Sequence, residues 1–300
     1  MEPRLQRRVQ RYGWDLAAAS YEPLWRTQLA SAQAALMARA ALAPGEEVLD
    51  VACGTGLVTF AAAQAIGSRG RVVGIDLSER MVEIAYRGIP KREISIVSFA
   101  RMDAGKLDLP GAGFDVVLCA LGLMYMPDPA QALREMRRVL RPGGRMAVLV
   151  WGERARCGWS TLFSIVDAEV ESEVCPLFFK LGESDMLARL SADVGFEAIE
   201  QSRIRTTLDY AAAHEACDAA FIGGPIALAW SRFDDAARAR VRRRYIEAIE
   251  PWRYDLGYRI PGEFVLVTGV ARGLAQRKPP RRAALVSSWV APGPGPGPTP

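Results

Sequence analysis

The chain has 300 residues, half of them hydrophobic and 24% charged, which excludes a disordered protein and leaves room for one large domain or two small ones. The formal charge of +4 resides in residues 277–300, which carry Arg277, Lys278, Arg281 and Arg282 and no acid; the remainder is neutral, which argues against a nucleic-acid footprint spread over the fold. Five cysteines without a CxxC pair and a single histidine, His214, argue against a Cys/His zinc site, so no metal is expected, and such scattered thiols suit a reducing cytosol.

Residues 1–43 read as helix, with Leu24, Gln28, Ala32, Ala35, Leu36 and Leu42 on helical spacings. The basic first residues lack the apolar run of a signal peptide, and no stretch approaches the roughly 18 consecutive apolar residues of a membrane span, so a cytoplasmic protein is expected. From residue 44, short β-rich runs alternate with helical ones. Strands are expected at 47–53, 71–77, 95–102, 114–121 and 144–151, with apolar runs that are continuous rather than alternating, as in a parallel sheet buried on both faces. Helices are expected between them at 57–66, 79–87 and 129–140, the second capped by Ser78 and the third stopped by Pro142-Gly143-Gly144. This alternation predicts an α/β, doubly wound sheet. Helices at 160–174 and 184–194, a strand at 196–204, helical stretches to about 250 and a last strand at 263–271 follow. The Pro/Gly-rich residues 277–300 are expected to be a disordered tail.

The densest signal is Val48-Leu49-Asp50-Val51-Ala52-Cys53-Gly54-Thr55-Gly56, a buried strand entering a glycine turn ahead of a helix. Glycines there let the backbone approach a ligand, and the helix start offers free N–H groups. The end of the first parallel strand is also where doubly wound folds bind nucleotides. Twenty residues after Gly56, at the end of the second strand, Asp76 is placed to accept from two ribose hydroxyls. Thr59 stands where a third glycine would complete the dinucleotide fingerprint, which disfavours a nicotinamide oxidoreductase and leaves an adenosine ligand without a pyrophosphate. Asp103, after the third strand, is placed to accept from an adenine amino group while the next backbone N–H donates to the ring.

Taken in order, VLDVACGTG, GIDLSERM, MDAGKLDLP and FDVVLCALGLMYMPDPAQALREMRRVLRPGGRMAVLVW resemble the class I S-adenosylmethionine-dependent methyltransferases, most closely the ubiquinone/menaquinone and small-molecule branch. The resemblance covers about residues 44–152. It implies a seven-stranded Rossmann-like sheet whose last strand is antiparallel, with S-adenosyl-L-methionine as cofactor. It further implies that Asp50 and the backbone of Ala52, Cys53, Gly54, Thr55 and Gly56 hold the methionine end, and that Asp76 takes the ribose. Leu77 and Met81 would flank the adenine, Asp103 and Ala104 would read its edge, and Cys119, Ala120 and Leu121 would line the methionine moiety. Ala52 departs from the more usual glycine. The domain layout that follows is a helical lid at 1–43, the cofactor-binding domain at 44–276 and a helical insertion at about 209–258 capping the site.

Methyl transfer from a sulfonium needs alignment and exclusion of water, and a base only where the nucleophile must lose a proton. Candidate acceptor contacts are Trp14, Tyr21, Trp25, Met124, Tyr125 and Trp159, with Tyr12 and Arg154 nearby in sequence; candidate bases are Tyr21, Tyr125, Glu153 and His214. The aromatic-rich covering region suits a small apolar or aromatic acceptor, a quinone precursor or a secondary metabolite, with C-, O- and N-methylation all open. The alternatives are a macromolecular (RNA or protein) methyltransferase and a non-catalytic S-adenosylmethionine binder. The basic run Arg238, Arg240, Arg242, Arg243 and Arg244 is bracketed by acids and reads as a solvated helix face, so no nucleic-acid partner is expected; homo-oligomerisation stays open.

Overall fold

The computed structural model describes residues 2–92, 95–170 and 178–272. The expected tail at 277–300 and the end of the helix expected at 160–174 lie outside these residues. The chain opens with a long helix, α1 (Pro3–Ala40), started by the Glu2 carboxylate, which accepts from the Arg4 and Leu5 N–H groups at 3.1 Å, and by Pro3 at the first helical position. There follow β1 (Glu47–Val51), α2 (Leu57–Ile66), β2 (Arg71–Asp76), α3 (Glu79–Arg87), β3 (Val97–Arg101), β4 (Phe114–Ala120), α4 (Pro129–Val139) and β5 (Leu140–Trp151). The capping chemistry is local: Ser78 Oγ accepts from Met81 N–H at 3.1 Å to start α3, and Asp128 accepts from Gln131 N–H at 2.8 Å to start α4. The second half contains α5 (Thr161–Asp167), α6 (Met186–Asp193), β6 (Phe196–Tyr210), α7 (Ala213–Phe221), α8 (Ala227–Ser231), α9 (Asp235–Ile249), β7 (Arg253–Tyr254) and β8 (Gly257–Ala271).

The sheet runs in the order β3-β2-β1-β4-β5-β8-β6, with the two-residue β7 added on β8. The strands from β3 to β5 are parallel, and β8 is antiparallel to both β5 and β6. The sheet is thus doubly wound with an antiparallel last strand, seven strands on its main path and an eighth short one beside it. The order reverses between β1 and β4, so the crevice beyond their carboxyl ends is the switch point where ligands enter such sheets.

The first four strands end within a residue or two of expectation, and three later ones run longer than expected. β5 begins at Leu140 because Leu140 pairs with Phe114 ahead of a register shift, so Pro142-Gly143 lies within the strand. β6 continues to Tyr210 and β8 begins at Gly257, paired as far as Tyr210↔Tyr258. The added part of β6 carries Arg205, Thr206, Thr207 and Asp209, a polar run on an edge strand that has no continuous apolar signal. α7, α8 and α9 lie between these two strands. Part of the basic run of α9 is held in ion pairs, Arg240 with Glu169 at 2.7 Å and Arg242 with Asp218 at 2.9 Å, while Arg243 and Arg244 are exposed. Among the described residues no helix is long and apolar enough to cross a membrane.

Candidate active site

At the end of β1 the backbone turns sharply. Ala52, Gly54 and Gly56 all take positive φ (58°, 54° and 89°), a conformation natural to glycine and strained for alanine. Asp76, at the tip of β2, ties this loop to the next: its carboxylate accepts from Gly54 N–H at 2.9 Å and from Ser78 N–H at 2.8 Å. Burial raises the pKa of Asp76 above the ordinary carboxylate range, against the pull of those N–H bonds, and the charge of Asp15 raises it further.

Beneath the loop, Asp50 is buried, with one carboxylate oxygen accepting from Thr59 Oγ1 at 2.6 Å and the other left without a partner. Burial pushes this carboxyl up to about 7, opposed by the Thr59 bond and assisted by the charge of Asp76. Thr55 Oγ1 is a second buried polar atom lacking a partner. Buried polar atoms are rarely left unsatisfied, so both are suited to a polar ligand atom, as are the buried indole N–H groups of Trp25 and Trp159, which also lack partners.

A cavity of about 110 Å³ opens over these groups. The first loop contributes Ala52 and Gly54; the end of β2 and the start of α3 contribute Asp76, Leu77 and Met81; the segment after β3 contributes Asp103 and Ala104; and the end of β4 contributes Ala120 and Leu121. Asp50, Cys53, Thr55 and Cys119 are buried but do not line this wall, and Gly56 serves as the N-cap of α2. Asp103 accepts from Gly105 N–H at 2.8 Å and pairs with Arg7 of α1 at 3.4 Å. Arg7 and Gln10 close the cavity from α1, and Gly122 closes it after β4; the sequence had singled out none of the three.

A second, smaller cavity of about 40 Å³ adjoins the first. Trp14, Tyr21, Leu121 and Tyr125 line both, so these four side chains form the boundary between them. The ring of Trp14 meets Tyr21 and Tyr125 edge-on at 5.8 and 5.2 Å between centroids. Trp25 and Trp159 line the smaller chamber, together with Trp151, Phe178, Tyr210 and Tyr245. No carboxylate, histidine, lysine or arginine stands among its described wall residues. Burial raises the Tyr21, Tyr210 and Tyr245 hydroxyls far above their ordinary range, so they are protonated at neutral pH.

Several expected contributors stand elsewhere. Met124 is fully buried and lines neither cavity, whereas its neighbour Tyr125 lines both. Glu153 lines neither; it pairs with Arg203 at 3.4 Å, which the buried Glu263 also holds, at 2.7 Å. His214 is exposed on α7 away from both cavities, and Tyr12 and Arg154 are exposed as well. Trp151 and the residues that α7, α9 and the end of β6 supply to the chamber carried no motif. Only the aromatic content of the covering region hinted at them.

Residues 42–174 match the profile of a family described as a methyltransferase domain. A demethylmenaquinone methyltransferase of Geobacillus sp. is 32% identical over 178 residues, 55% of this chain and 76% of the relative. The chain belongs to the class I S-adenosylmethionine-dependent methyltransferases, in the ubiquinone/menaquinone branch. A demethylmenaquinone methyltransferase of Listeria monocytogenes is 37% identical over 120 residues, 40% of this chain; the match spans about half (51%) of that relative's length. A solved structure from Bacillus halodurans, described as a methyltransferase, superposes with a TM-score of 0.59 at 21% identity over 81% of this chain and 100% of its own, a likeness of fold. The methyltransferase fold thus accounts for the sheet order and for the switch-point crevice, and S-adenosylmethionine is the family's cofactor.

Proposed function

We propose that the protein transfers the methyl group of S-adenosylmethionine to a small apolar or aromatic acceptor held in the aromatic chamber, an acceptor of the quinone-precursor or secondary-metabolite type. The observation that carries this reading is the shared boundary of Trp14, Tyr21, Leu121 and Tyr125, which sets an acid-bearing cavity against a mostly aromatic one without charged groups on its described wall. The names of the demethylmenaquinone methyltransferase relatives support the acceptor class.

The residues of the larger cavity fit the cofactor. Asp76 would take the ribose hydroxyls and Asp103 and Ala104 the adenine edge, between Leu77 and Met81. The partnerless oxygen of Asp50, buried behind the cavity wall, would receive the positive amino end through a bridging water. The cofactor supplies an activated methyl group on a sulfonium. What the chain supplies is alignment, a boundary of four side chains between the two cavities, and a largely aromatic wall that keeps water from the line of attack. Because the described chamber wall offers no carboxylate, histidine or lysine to act as a base, the acceptor would bring its own electron pair, as an acidic ring hydroxyl already ionised in solution does.

Calorimetric titration with S-adenosylhomocysteine, with NAD as control, tests the cofactor reading: binding of the first and not the second is expected, and binding of neither removes it. Mass-spectrometric screening of phenolic and quinol acceptors then tests the chamber, where failure of every flat apolar acceptor alongside tight cofactor binding would leave a binder without catalysis.

Asp50 makes the binding pH-dependent. Its carboxyl is neutral in the free protein below about 7, and a cationic amino group favours the carboxylate, so binding expels a proton. Affinity is expected to rise by up to about tenfold per pH unit toward 7 and to level off above it. Asp50→Asn should flatten that slope. The same raised value means that the stability contributed by the neutral form is fully present below the ordinary carboxylate range and is lost as pH rises through about 7.

A further inference from the structure

Of the six large hydrophobic side chains most exposed among the described residues, three belong to the first half of α1: Leu5 (40%), Tyr12 (47%) and Leu16 (51%). At 3.6 residues per turn these positions fall within about 40° of one another, a single stripe along the outer side of the helix. Arg4 and Arg8, both exposed, run along one flank of the stripe, with the half-buried Arg11 beyond them, and none of the three makes an ion pair among the described residues. The guanidinium of Arg11 lies over the ring of Tyr12, 4.6 Å from its centroid.

The other basic residue of these turns is accounted for. Arg7 faces inward, lines the larger cavity and pairs with Asp103. The acids of the segment are engaged too. Glu2 caps α1, and Asp15 accepts from Ser78 Oγ at 2.6 Å and Arg80 N–H at 3.2 Å. The outer face therefore combines uncompensated positive charge with large apolar side chains, although residues 1–276 taken together, this face included, have no net charge. A macromolecular partner complementary to both properties must be anionic at its surface and apolar just beneath, which is the layering of a lipid leaflet.

We propose that this face of α1 docks on an anionic lipid surface, with Leu5, Tyr12 and Leu16 entering the headgroup–acyl boundary and Arg4 and Arg8 meeting lipid phosphates. The inner side of the same turns presents Gln10 and Trp14 to the cavities, so a protein held this way has its site directly behind the docked helix. That the acceptor arrives from the lipid rests on the acceptor reading above; the docking itself does not.

Co-sedimentation of the full chain with vesicles tests the proposal, using phosphatidylcholine alone and phosphatidylcholine with about one-third phosphatidylglycerol at low ionic strength. Retention by the anionic vesicles, release at high salt and little retention by neutral ones is the expected result. Leu5→Ser/Leu16→Ser and Arg4→Glu/Arg8→Glu should each raise the lipid concentration for half-binding at least about tenfold. Circular dichroism and S-adenosylhomocysteine calorimetry on the same variants confirm that they fold and bind, and keep a failure of docking distinct from a failure of the cofactor reading. Absence of vesicle binding overturns the proposal. So does binding that both variants retain, which would place the attraction in the basic residues 277–282, and so does a change of self-association in sedimentation velocity without a change in lipid affinity, which would make the face a contact between copies.

Discussion

Asp76→Ala is expected to weaken S-adenosylhomocysteine binding by about 1–3 kcal/mol, roughly five- to 150-fold, measured by calorimetry. Two effects add. The cavity loses the acceptor proposed for the ribose hydroxyls, whose desolvation is then uncompensated. The loop also loses a tie, because the same carboxylate holds Gly54 N–H at 2.9 Å and Ser78 N–H at 2.8 Å. Asp76→Asn separates the two, since an amide keeps one acceptor oxygen but turns an NH2 group toward one of those N–H donors; it should fall nearer to alanine than to the native residue. Thermal unfolding without ligand controls for the loop, because loss of cofactor affinity at unchanged midpoint assigns the effect to the ligand. Unchanged affinity in both variants would remove Asp76 from the cofactor set.

What the sequence made legible is what local chemistry dictates. The first loop could be read because a strand buried on both faces, Val48 to Val51, runs straight into Gly54 and Gly56, and only backbone able to reach positive φ continues from there. Ser78 could be read as a helix start because its side chain bonds the N–H group three residues ahead, whatever the fold around it; Asp128 does the same for α4, though the sequence had not singled it out. The chamber was not legible in the same way. Leu29, Tyr210 and Tyr245 meet there from one end of the chain and the other, brought together by the packing of α1 against the helices between β6 and β8, and nothing local to any of them signals a wall.

Near-neighbours divided for the same reason. In the single short turn 123–125, Leu123 and Met124 point into the core while Tyr125 points into the cavities, a matter of rotation that composition does not encode. Glu153 and His214 were candidates by residue type alone; Arg203 occupies the first, and the second faces outward.

The departure at Ala52 has a structural counterpart that yields the second large effect. A methyl group built on Gly122 would lie 2.2 Å from the Ala52 methyl, so Ala52 fills the space that Gly122 leaves empty. Neither carbon has a rotamer to escape into, and both are anchored on loops that line the proposed cofactor cavity. Gly122→Ala is therefore expected to cost about 3 kcal/mol of stability, the upper part of the overpacking range, and to weaken S-adenosylhomocysteine binding as the loops separate. Ala52→Gly alone should stay within about 1 kcal/mol of the native protein, since relief of the left-handed strain at φ 58° offsets the extra freedom of the unfolded chain. Combining the two removes the collision, so the double variant should recover most of the loss, with a coupling of about 2 kcal/mol between positions 52 and 122. Urea unfolding of the four proteins measures that coupling directly. A double variant as unstable as Gly122→Ala would mean that the obstruction is not the Ala52 methyl but Cys119, whose Sγ lies 3.3 Å from the same point, and Cys119→Ala would then be the rescuing partner.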